Sequence, residues 1–449
     1  MKLKSFTASK VYGYLAFTID FHSDLSFLVG VNGSGKTTIL RLIQALLTPS
    51  LRDLISIPFK RASVTFENQG ESFTISSKKS IEKLSLSVTT IDKFLSLPNI
   101  GQEELDYMLS REGRNSDFFQ EFQLKHSDHE VFKFISQINA PVFLGLERIH
   151  KNLSERTGEN FFERERMLSS NAKRGLRFRR VIEGSLAAGL METQALVQDT
   201  YKRLRRMEDH HSQRLRETIL LSAFKYDYLS FPEGDFESLL PNWTEKQQIL
   251  QRKEEIELAL SKIGLSGDKI TTVLNEFFQR LEGLFKSMND VKKSKGIPVE
   301  WILNRAQIDR VSELIQIIDA HKSRVDKLFS PINTFIDCVN SFYADTRKCL
   351  TIDTVGQLSI LRPDKEPAPI EALSSGERQL VIIFAHLLFN NYGTRSSVFV
   401  IDEPELSLHL KWQEIFVEKA LEVNPNIQLI LATHSPEIIG DYDNKCITV

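Results

Sequence analysis

The chain has 449 residues, with 57 Lys and Arg against 59 Asp and Glu and a formal net charge of −2. At roughly 100–200 residues per domain, this length predicts two or three domains, and the ordinary apolar and charged fractions of 41% and 26% exclude wholesale disorder. The near-neutral balance excludes a uniformly basic surface coat for nucleic acid, but it does not exclude a local patch.

The cysteines and the apolar runs indicate the cellular compartment of the protein. Cys338, Cys349 and Cys446 lie far apart and form no C-x-x-C pair, which argues against a disulfide framework or a structural zinc site. The N-terminus lacks the apolar run of a signal peptide, and the longest apolar run, 380–389, is about half of a membrane span. We therefore predict a cytoplasmic protein without a membrane segment.

The N-terminal part is predicted to be rich in strands. Residues 2–30 read as short strands, the last of them a buried strand over 25–29. A helical spacing of apolar residues follows and ends at Thr48–Pro49. Alternation of apolar and polar residues returns over 57–92, and 141–146 predicts another buried strand.

The middle of the chain has a different texture, charged and mostly helical in pattern. Apolar residues repeat in heptads over 311–342, with His321 as the one polar seam residue, which predicts a long helix in a bundle or coiled coil. Pro331 is predicted to kink or divide this helix. A second long helix is predicted around 197–219.

Strand signals return near the C-terminus. Residues 398–401 and 428–432 are apolar and strand-like, and helices are predicted over 376–390 and after Leu410. The fold class is therefore predicted to be α/β, with one unit made from both ends of the chain. The predicted parts are 1–150 and 346–449 for this unit and 151–345 for a helical insertion.

The strongest motif is Gly-Val-Asn-Gly-Ser-Gly-Lys-Thr-Thr over residues 30–38, between a predicted strand and a predicted helix. This is the P-loop pattern, in which backbone N–H groups surround phosphates at a helix N-terminus. Lys36 is predicted to reach the β- and γ-phosphates of ATP, and Thr37 to give its hydroxyl to Mg²⁺. The predicted nucleotide-binding residues are Gly30, Asn32, Gly33, Ser34, Gly35, Lys36, Thr37 and Thr38.

The strand over 398–401 ends in two carboxylates, Asp402 and Glu403. In metal-assisted phosphate chemistry Asp402 would hold Mg²⁺, and Glu403 would orient or deprotonate the attacking water. Alone, the pair could equally be a solvated turn after a strand. The P-loop in the same chain favours the catalytic interpretation.

Two further motifs are weaker when taken singly. Leu-Ser-Ser-Gly-Glu over 373–377 leads into an apolar helix, a design that binds anions but is also an ordinary N-cap. His434 follows a buried strand and by itself is more often structural than catalytic.

In this order the four motifs resemble the ABC-type ATPase head. The resemblance makes Lys36 and Thr37 part of Walker A, Asp402 and Glu403 part of Walker B, and His434 the switch histidine, with the D-loop at 405–409. The signature motif differs from the usual Leu-Ser-Gly-Gly-Gln at its third and fifth positions. The resemblance implies that two ATP molecules lie between two protomers, each P-loop facing the signature residues of the partner, which are Ser374, Ser375, Gly376 and Glu377.

Some family positions stay open. The Gln of the Q-loop has only two candidates, Gln123 and Gln137, and neither is assigned. Tyr12 or Tyr14 could stack on adenine, although aromatic residues in an N-terminal hairpin are more often part of the core.

The long stretch between Walker A and the signature argues against a transporter ATPase and resembles the SMC, RecF and OLD-like branch. Within it, LSSGERQL, FVIDEPELSLHLKWQ and ATHSPEII are similar to ATPase subunits of bacterial antiphage systems, nearest the Septu ATPase PtuA and next the PARIS ATPase AriA. This resemblance implies a homo-oligomer, at least a head-to-head dimer, and a larger oligomer such as a hexamer is a further expectation. It also implies a scaffold that senses phage infection and controls a separate HNH or Toprim nuclease; no nuclease motif is found in this sequence. The alternative is a RecF- or SMC-like ATPase acting directly on DNA in repair.

Residues 171–216 carry 11 Lys and Arg against 5 Asp and Glu, a local charge of +6. The clusters at 173–180 and 202–206 predict either a nucleic-acid footprint or a docking surface for an acidic partner, and a solvated helix face is an equal alternative. His210 and His211 are expected to be a surface pair rather than metal ligands, because adjacent residues face different sides of a helix.

Overall fold

A computed structural model describes most of the chain. The described residues are 1–48, 51–81, 83–98, 128–139, 141–145, 185–223, 250–262, 264, 267–291, 299–389 and 398–449. The strands are β1 Lys2–Val11, β2 Leu15–Asp20, β3 Leu25–Val29, β4 Arg61–Asn68, β5 Glu71–Lys79, β6 Lys83–Val88, β7 Leu95–Pro98, β8 Val142–Leu144, β9 Cys349–Ile352, β10 Leu358–Leu361, β11 Pro367–Pro369, β12 Val398–Asp402, β13 Gln428–Ala432 and β14 Cys446–Thr448. The helices are α1 Lys36–Leu47, α2 Leu51–Ser56, α3 Glu130–Gln137, α4 Ser185–Ala223, α5 Lys253–Lys262, α6 Asp268–Val291, α7 Val299–Tyr343, α8 Ser375–Phe389, α9 Leu410–Val423 and α10 Pro436–Ile439.

A parallel sheet joins the two ends of the chain. Its strand order is β14-β3-β13-β12-β8, and each neighbouring pair is parallel. β12 and β13 are apolar almost throughout, as expected for strands that are covered on both faces. The predicted α/β fold class is therefore confirmed, with N- and C-terminal segments in one sheet.

A second, antiparallel sheet packs on the same core. Its order is β2-β1-β4-β5-β6-β7. Alternate residues such as Phe6, Val64 and Ile75 are buried and contact the apolar face of α1, while their neighbours point outward. The P-loop helix is thereby held between the two sheets.

The described chain divides into two compact units. One contains residues 1–200 and 333–449, and the other contains residues 201–332. The limits fall inside α4 and α7. The predicted boundaries at 150 and 345 stay a prediction, because residues 146–184 lie outside the described part of the chain.

The unit of residues 201–332 has its own apolar core, formed by Leu215, Ile256, Leu260, Phe278, Leu281, Ile308, Ile315 and Ile318. The two predicted long helices are confirmed as α4 and α7. The expectation that Pro331 could divide α7 is wrong, because the helix continues through it. Proline cannot donate to the Lys327 carbonyl, but the Ser330 hydroxyl does so instead at 3.0 Å. None of the described helices has the length and apolar character needed to cross a bilayer.

Candidate nucleotide site

The P-loop lies between β3 and α1, where its glycines allow a backbone conformation that other residues adopt only rarely and at a cost. Gly33 and Gly35 have φ values of 87° and 103°, in the left-handed region that favours glycine. A Cβ on Gly35 would also meet the ring of Phe17. Gly35 is the N-cap of α1 and makes no side-chain cap, so no side chain of the N-cap residue competes for the first N–H groups of α1.

Lys36 folds back over the loop that precedes it. Its Nζ donates to the carbonyl oxygens of Gly30 at 2.8 Å and Val31 at 3.3 Å, and it lies 3.5 Å from Nδ1 of His434. Burial lowers the pKa of the Lys36 amine, whereas attraction by nearby carboxylates, Glu403 first among them, opposes that shift. The amine is thus held among acceptors, ready to exchange carbonyl oxygens for phosphate oxygens.

Thr37 and Asp402 meet although they are far apart in the chain. The Thr37 hydroxyl donates to Oδ2 of Asp402 at 3.0 Å and lies 3.3 Å from Oδ1. Asp402 reaches this position because β12 ends beside β13, the neighbour of β3, at the edge where α1 begins. A hydroxyl and a carboxylate side by side form the oxygen-donor set that Mg²⁺ prefers.

Glu403 has a strained backbone. Its φ is 51°, a region that costs an L-residue roughly 1–2 kcal/mol. The strain is held by two hydrogen bonds, from Glu403 N to the Ala432 carbonyl at 2.8 Å and from Leu406 N to the Glu403 carbonyl at 3.2 Å. Strained residues of this kind cluster at functional sites, and this conformation starts the sharp turn after Walker B.

His434 is positioned by a carboxylate that sequence reasoning assigned only to the D-loop. The backbone N–H of His434 donates to Oε1 of Glu405 at 2.8 Å. Gln413 fixes the same region, since its Nε2 donates to the Leu408 carbonyl at 2.9 Å and its Oε1 accepts from the Ser435 hydroxyl at 2.6 Å. The switch histidine, itself exposed, is therefore tied to the D-loop.

The signature motif forms a reciprocal cap at the start of α8. Ser374 N donates to Oε2 of Glu377 at 2.8 Å, and Glu377 N lies 3.4 Å from Oγ of Ser374. This is the capping box of a Ser-x-x-Glu sequence, which satisfies two helix-end donors at once. Ser374 and Ser375 are exposed, so the tip of the motif is open to a partner molecule.

Glu377 is buried behind that tip and carries a counter-ion. Lys348 Nζ contacts both carboxylate oxygens, at 2.8 and 2.9 Å. Burial acts to raise the pKa of Glu377, but the bonds from Lys348 and Ser374 outweigh it and the net pKa is lowered. The buried Tyr343 hydroxyl donates to the Glu377 carbonyl at 2.8 Å. In the described structure Glu377 supports the loop from behind, and a contact with nucleotide stays a prediction.

Gly376 brings the signature motif against the D-loop. A Cβ at this position would collide with the carbonyl oxygen of Ser407. Ser407 itself has a φ of 65°, and Gln379, one turn into α8, donates to the Pro404 carbonyl at 3.2 Å. The signature, the D-loop and Walker B are thus mechanically joined.

An unpaired buried hydroxyl in the described P-loop indicates that the site fits a magnesium nucleotide. Within the described residues Ser34 Oγ is a buried polar atom without a hydrogen-bond partner, and it lies in the loop beside the uncapped start of α1. A buried hydroxyl without a partner is costly, and a phosphate oxygen would satisfy it. Lys36 and the P-loop N–H groups would hold the phosphates, and Thr37 and Asp402 would hold the metal ion.

Comparison with known proteins agrees with this geometry. The family model of the AAA ATPase domain, AAA_15, matches residues 1–439. The chain belongs to the AAA_15 family of ATPase domains. Over 202 residues it is 28% identical to a retron Vc95 probable ATPase of Vibrio cholerae serotype O1 biovar El Tor, covering 40% of this chain and 38% of that relative. The chain thus spans well under half the length of this curated relative.

Similar solved structures include three SMC head domains. They are the Pyrococcus furiosus head with an extended coiled coil bound to the C-terminal domain of ScpA (13% identity, TM-score 0.40, covering 100% of this chain and 93% of that one), the Thermotoga maritima head (11%, 0.37, 98% and 91%) and the Pyrococcus yayanosii head with a coiled coil and joint (15%, 0.37, 100% and 95%). The AAA_15 match over residues 1–439, rather than these distant likenesses, identifies the chain as a member of this family of ATPase domains.

The remaining predicted P-loop, adenine-stacking and Q-loop residues of this AAA_15 chain differ in their exposure. Asn32 is exposed at the tip of the P-loop, and Thr38 is half-buried in the first turn of α1. Tyr12 and Tyr14 are 49% and 77% exposed, so they do not belong to the core. Gln137 is exposed at the end of α3; the other Q-loop candidate, at 123, lies outside the described residues.

The basic stretch is described only in part. The cluster at 173–180 lies outside the described residues. On α4, Lys202 and Arg206 are exposed, whereas Arg205 pairs with Glu208 at 2.6 Å and packs over the Tyr201 ring. His210 and His211 have ring centroids 6.4 Å apart, and the expectation of a surface pair stays a prediction.

Proposed function

We propose that this AAA_15 ATPase is a nucleotide-dependent switch that controls a separate nuclease subunit in a bacterial antiphage complex. The observation that supports the switch is that the nucleotide-binding residues and the signature motif lie at different places on one chain. Lys36, Thr37 and Asp402 converge on one nucleotide site, while Ser374, whose hydroxyl lies 3.4 Å from Glu377 N, is exposed at the tip of the signature. A second copy of the chain would supply that hydroxyl to the first copy's nucleotide.

The chemistry of hydrolysis follows from the residues at the site. Lys36 and the P-loop N–H groups bind and orient the phosphates, and Mg²⁺ held by Thr37 and Asp402 would stabilise the negative charge that develops on the phosphate oxygens. Glu403 accepts a proton from the attacking water, whose oxygen forms the new bond to the γ-phosphorus as the bond to the β–γ bridging oxygen breaks. His434 donates a hydrogen bond to the γ-phosphate. When the γ-phosphate leaves, His434 loses this bond, and the hydrogen bond between His434 and Glu405 transmits the change to the D-loop.

Two observations support the defence role. The motif phrases resemble those of antiphage ATPase subunits such as the Septu ATPase PtuA and the PARIS ATPase AriA. The similar Vibrio cholerae protein is described as a retron ATPase. The chain's own residues support ATP hydrolysis, so the nuclease activity is assigned to a second chain, of the HNH or Toprim class.

Co-expression with the product of the adjacent gene tests this proposal. We expect the two chains to co-purify, and we expect phage protection to be lost in Lys36→Ala, which cannot hold phosphates, and altered in Glu403→Gln, which holds ATP without hydrolysing it. The mass of the purified complex gives its stoichiometry. Three results together would favour the alternative role in DNA repair. They are an ATPase that purifies without a partner, ATP hydrolysis that DNA stimulates, and no protection against phage.

A further inference from the structure

A row of side chains crosses five strands on the outer face of the antiparallel sheet. Consecutive direct register partners in β1, β4, β5, β6 and β7 are Ser9, Arg61, Lys78, Ser85 and Ser96. The adjacent row on β4–β7, which the pleat turns to the other face, is buried: Ala62, Ser77, Leu86 and Leu95. With neighbouring strands about 4.8 Å apart, the outer row is about 19 Å long. It is therefore an extended track rather than a compact cluster.

The track carries unbalanced positive charge. Arg61 and Lys78 lie directly opposite each other, and Lys60 and Lys83 line the same depression. All four side chains are exposed, and none forms an ion pair with a carboxylate within the described residues; Glu82 lies outside them. Because like charges directly opposite each other on a sheet are unfavourable, the free protein holds a repulsion that a bound polyanion would relieve.

The side chains around these cations form a depression of about 610 Å³, a volume typical of ligand sites. No described carboxylate lines it; the lining residues are Ser9, Lys60, Arg61, Lys78, Lys79, Ser80, Lys83, Ser85, Phe94 and Ser96. Lys79 has a separate structural task, since its Nζ donates to carbonyl oxygens at the end of α2, those of Leu54 at 3.4 Å and Ile57 at 3.2 Å. The remaining polar lining is cationic or hydroxylic, which are the donors that phosphate oxygens accept from.

Phe94 favours a single-stranded nucleic acid over a duplex as the bound polyanion. It is 64% exposed and lines the depression beside the cations. An exposed aromatic ring in a basic groove offers a platform for an unstacked base, whereas the bases of a duplex are already stacked on one another. The next outer row holds only small hydroxyl residues, among them Thr7, Ser63 and Ser76, so no bulky side chain blocks a strand lying across the sheet.

We propose that this face, formed by Lys60, Arg61, Lys78, Lys83 and Phe94, binds single-stranded nucleic acid. The cations and serine hydroxyls contact the phosphodiester backbone along the row, and one base stacks on Phe94. None of the residues of this site belongs to the basic stretch at 171–216 or to the P-loop. It does not depend on the proposed control of a nuclease, and it holds or fails independently of that function.

Fluorescence anisotropy of the full chain with a labelled oligothymidylate of about 12 nucleotides tests the site. Excess ADP and Mg²⁺ keep the P-loop occupied, so that it does not compete for the probe. Four contacts predict a slope of log K against log salt of about −2.8, and the double variant Arg61→Glu/Lys78→Glu should reduce that slope by at least about 1.4. The same variant should weaken binding at least about tenfold at about 50 mM salt.

Matched variants distinguish the effect of charge at this site on oligonucleotide affinity from the effect of the protein's total charge. Lys269→Glu/Arg280→Glu changes the charge equally at exposed positions of α6 and should leave the affinity within about twofold. Phe94→Ala should weaken the single strand about 5- to 150-fold while leaving duplex binding unchanged. Unaltered ATP turnover and melting temperature show that each variant is folded, and the milder Arg61→Gln/Lys78→Gln replaces the reversal if that variant is not.

Three results would overturn the proposal. The first is a wild-type chain that does not bind the oligonucleotide. The second is an affinity and salt slope that the Arg61/Lys78 reversal leaves unchanged, above all if reversal of Lys202 and Arg206 on α4 abolishes binding instead. The third is equal binding of duplex and single strand with no effect of Phe94→Ala, which would exclude the assignment to single strands.

Discussion

Replacing Lys348 by Met removes the cation beside the buried carboxylate of Glu377. The side chain of Glu377 is 3% exposed and that of Lys348 31%. Breaking a fully buried pair costs about 3–5 kcal/mol, and the partial exposure of Lys348 reduces this to about 2–3 kcal/mol at neutral pH. The signature loop should lose most of that free energy, because Glu377 also holds the N–H of Ser374.

The pH dependence gives the sign of the effect. In the wild type the pKa of Glu377 is lowered, so its contribution to stability is present above the unfolded pKa of about 4.3 and is lost as the pH falls through the folded value. Without Lys348 only the bonds from Ser374 oppose burial, which is the largest single influence, so the pKa of Glu377 rises relative to the wild type. The variant then gains less stability than the wild type as the pH rises, so the difference between them should grow from about pH 4 to pH 7.

Trp412 provides a local probe for this measurement. Its ring lies near those of Phe342 and Tyr343, with centroids 6.4 and 6.3 Å away. In a background with the other two tryptophans, Trp243 and Trp301, replaced by Phe, urea unfolding followed by its fluorescence reports the unit that holds the signature. The double variant Lys348→Met/Glu377→Gln should recover most of the loss, since Gln also serves a capping box. A loss independent of pH, or no recovery in the double variant, would refute the assigned pairing.

Three further outcomes are expected. Glu405→Ala should reduce kcat for ATP by up to about 100-fold with little change in KM in a steady-state assay, because His434 loses its backbone anchor; an unchanged kcat would remove that role. His386→Leu should flatten the loss of stability between about pH 6.5 and pH 4 in urea titrations, because burial lowers the pKa of His386 to about 4 and the folded state resists its protonation. Lys78→Thr should raise the free energy of unfolding by about 0.2–1 kcal/mol at low salt, and the gain should vanish at high salt as repulsion from Arg61 is screened.

Local motifs predicted the elements around the candidate nucleotide site, because each motif and its element lie in consecutive residues. The P-loop, the strand ending in Asp402 and Glu403, and the helix after the signature are each contained in short stretches with strong periodicity. The meeting of Thr37 with Asp402 could also be expected, because the resemblance to an ABC-type head implies it.

Contacts between distant stretches escaped sequence reasoning. Lys348 and Glu377 are joined by packing, although the unusual Glu at the fifth signature position was a usable signal. The basic row from Ser9 to Ser96 depends on strand register across five strands, which no single segment encodes. Composition indicated a positive patch at 171–216 instead.

In the proposed switch, the signature of one chain completes the nucleotide site of another. Cross-linking tests it most directly, with Ser375→Cys in one tagged chain and Val31→Cys in a second, Glu403→Gln in both, and Cys349 and Cys446 replaced by Ser. Both engineered positions are exposed. A short bis-maleimide should join the two chains with ATP and Mg²⁺ but not with ADP. Full ATP binding without any ATP-dependent link between the chains would contradict this shared nucleotide site.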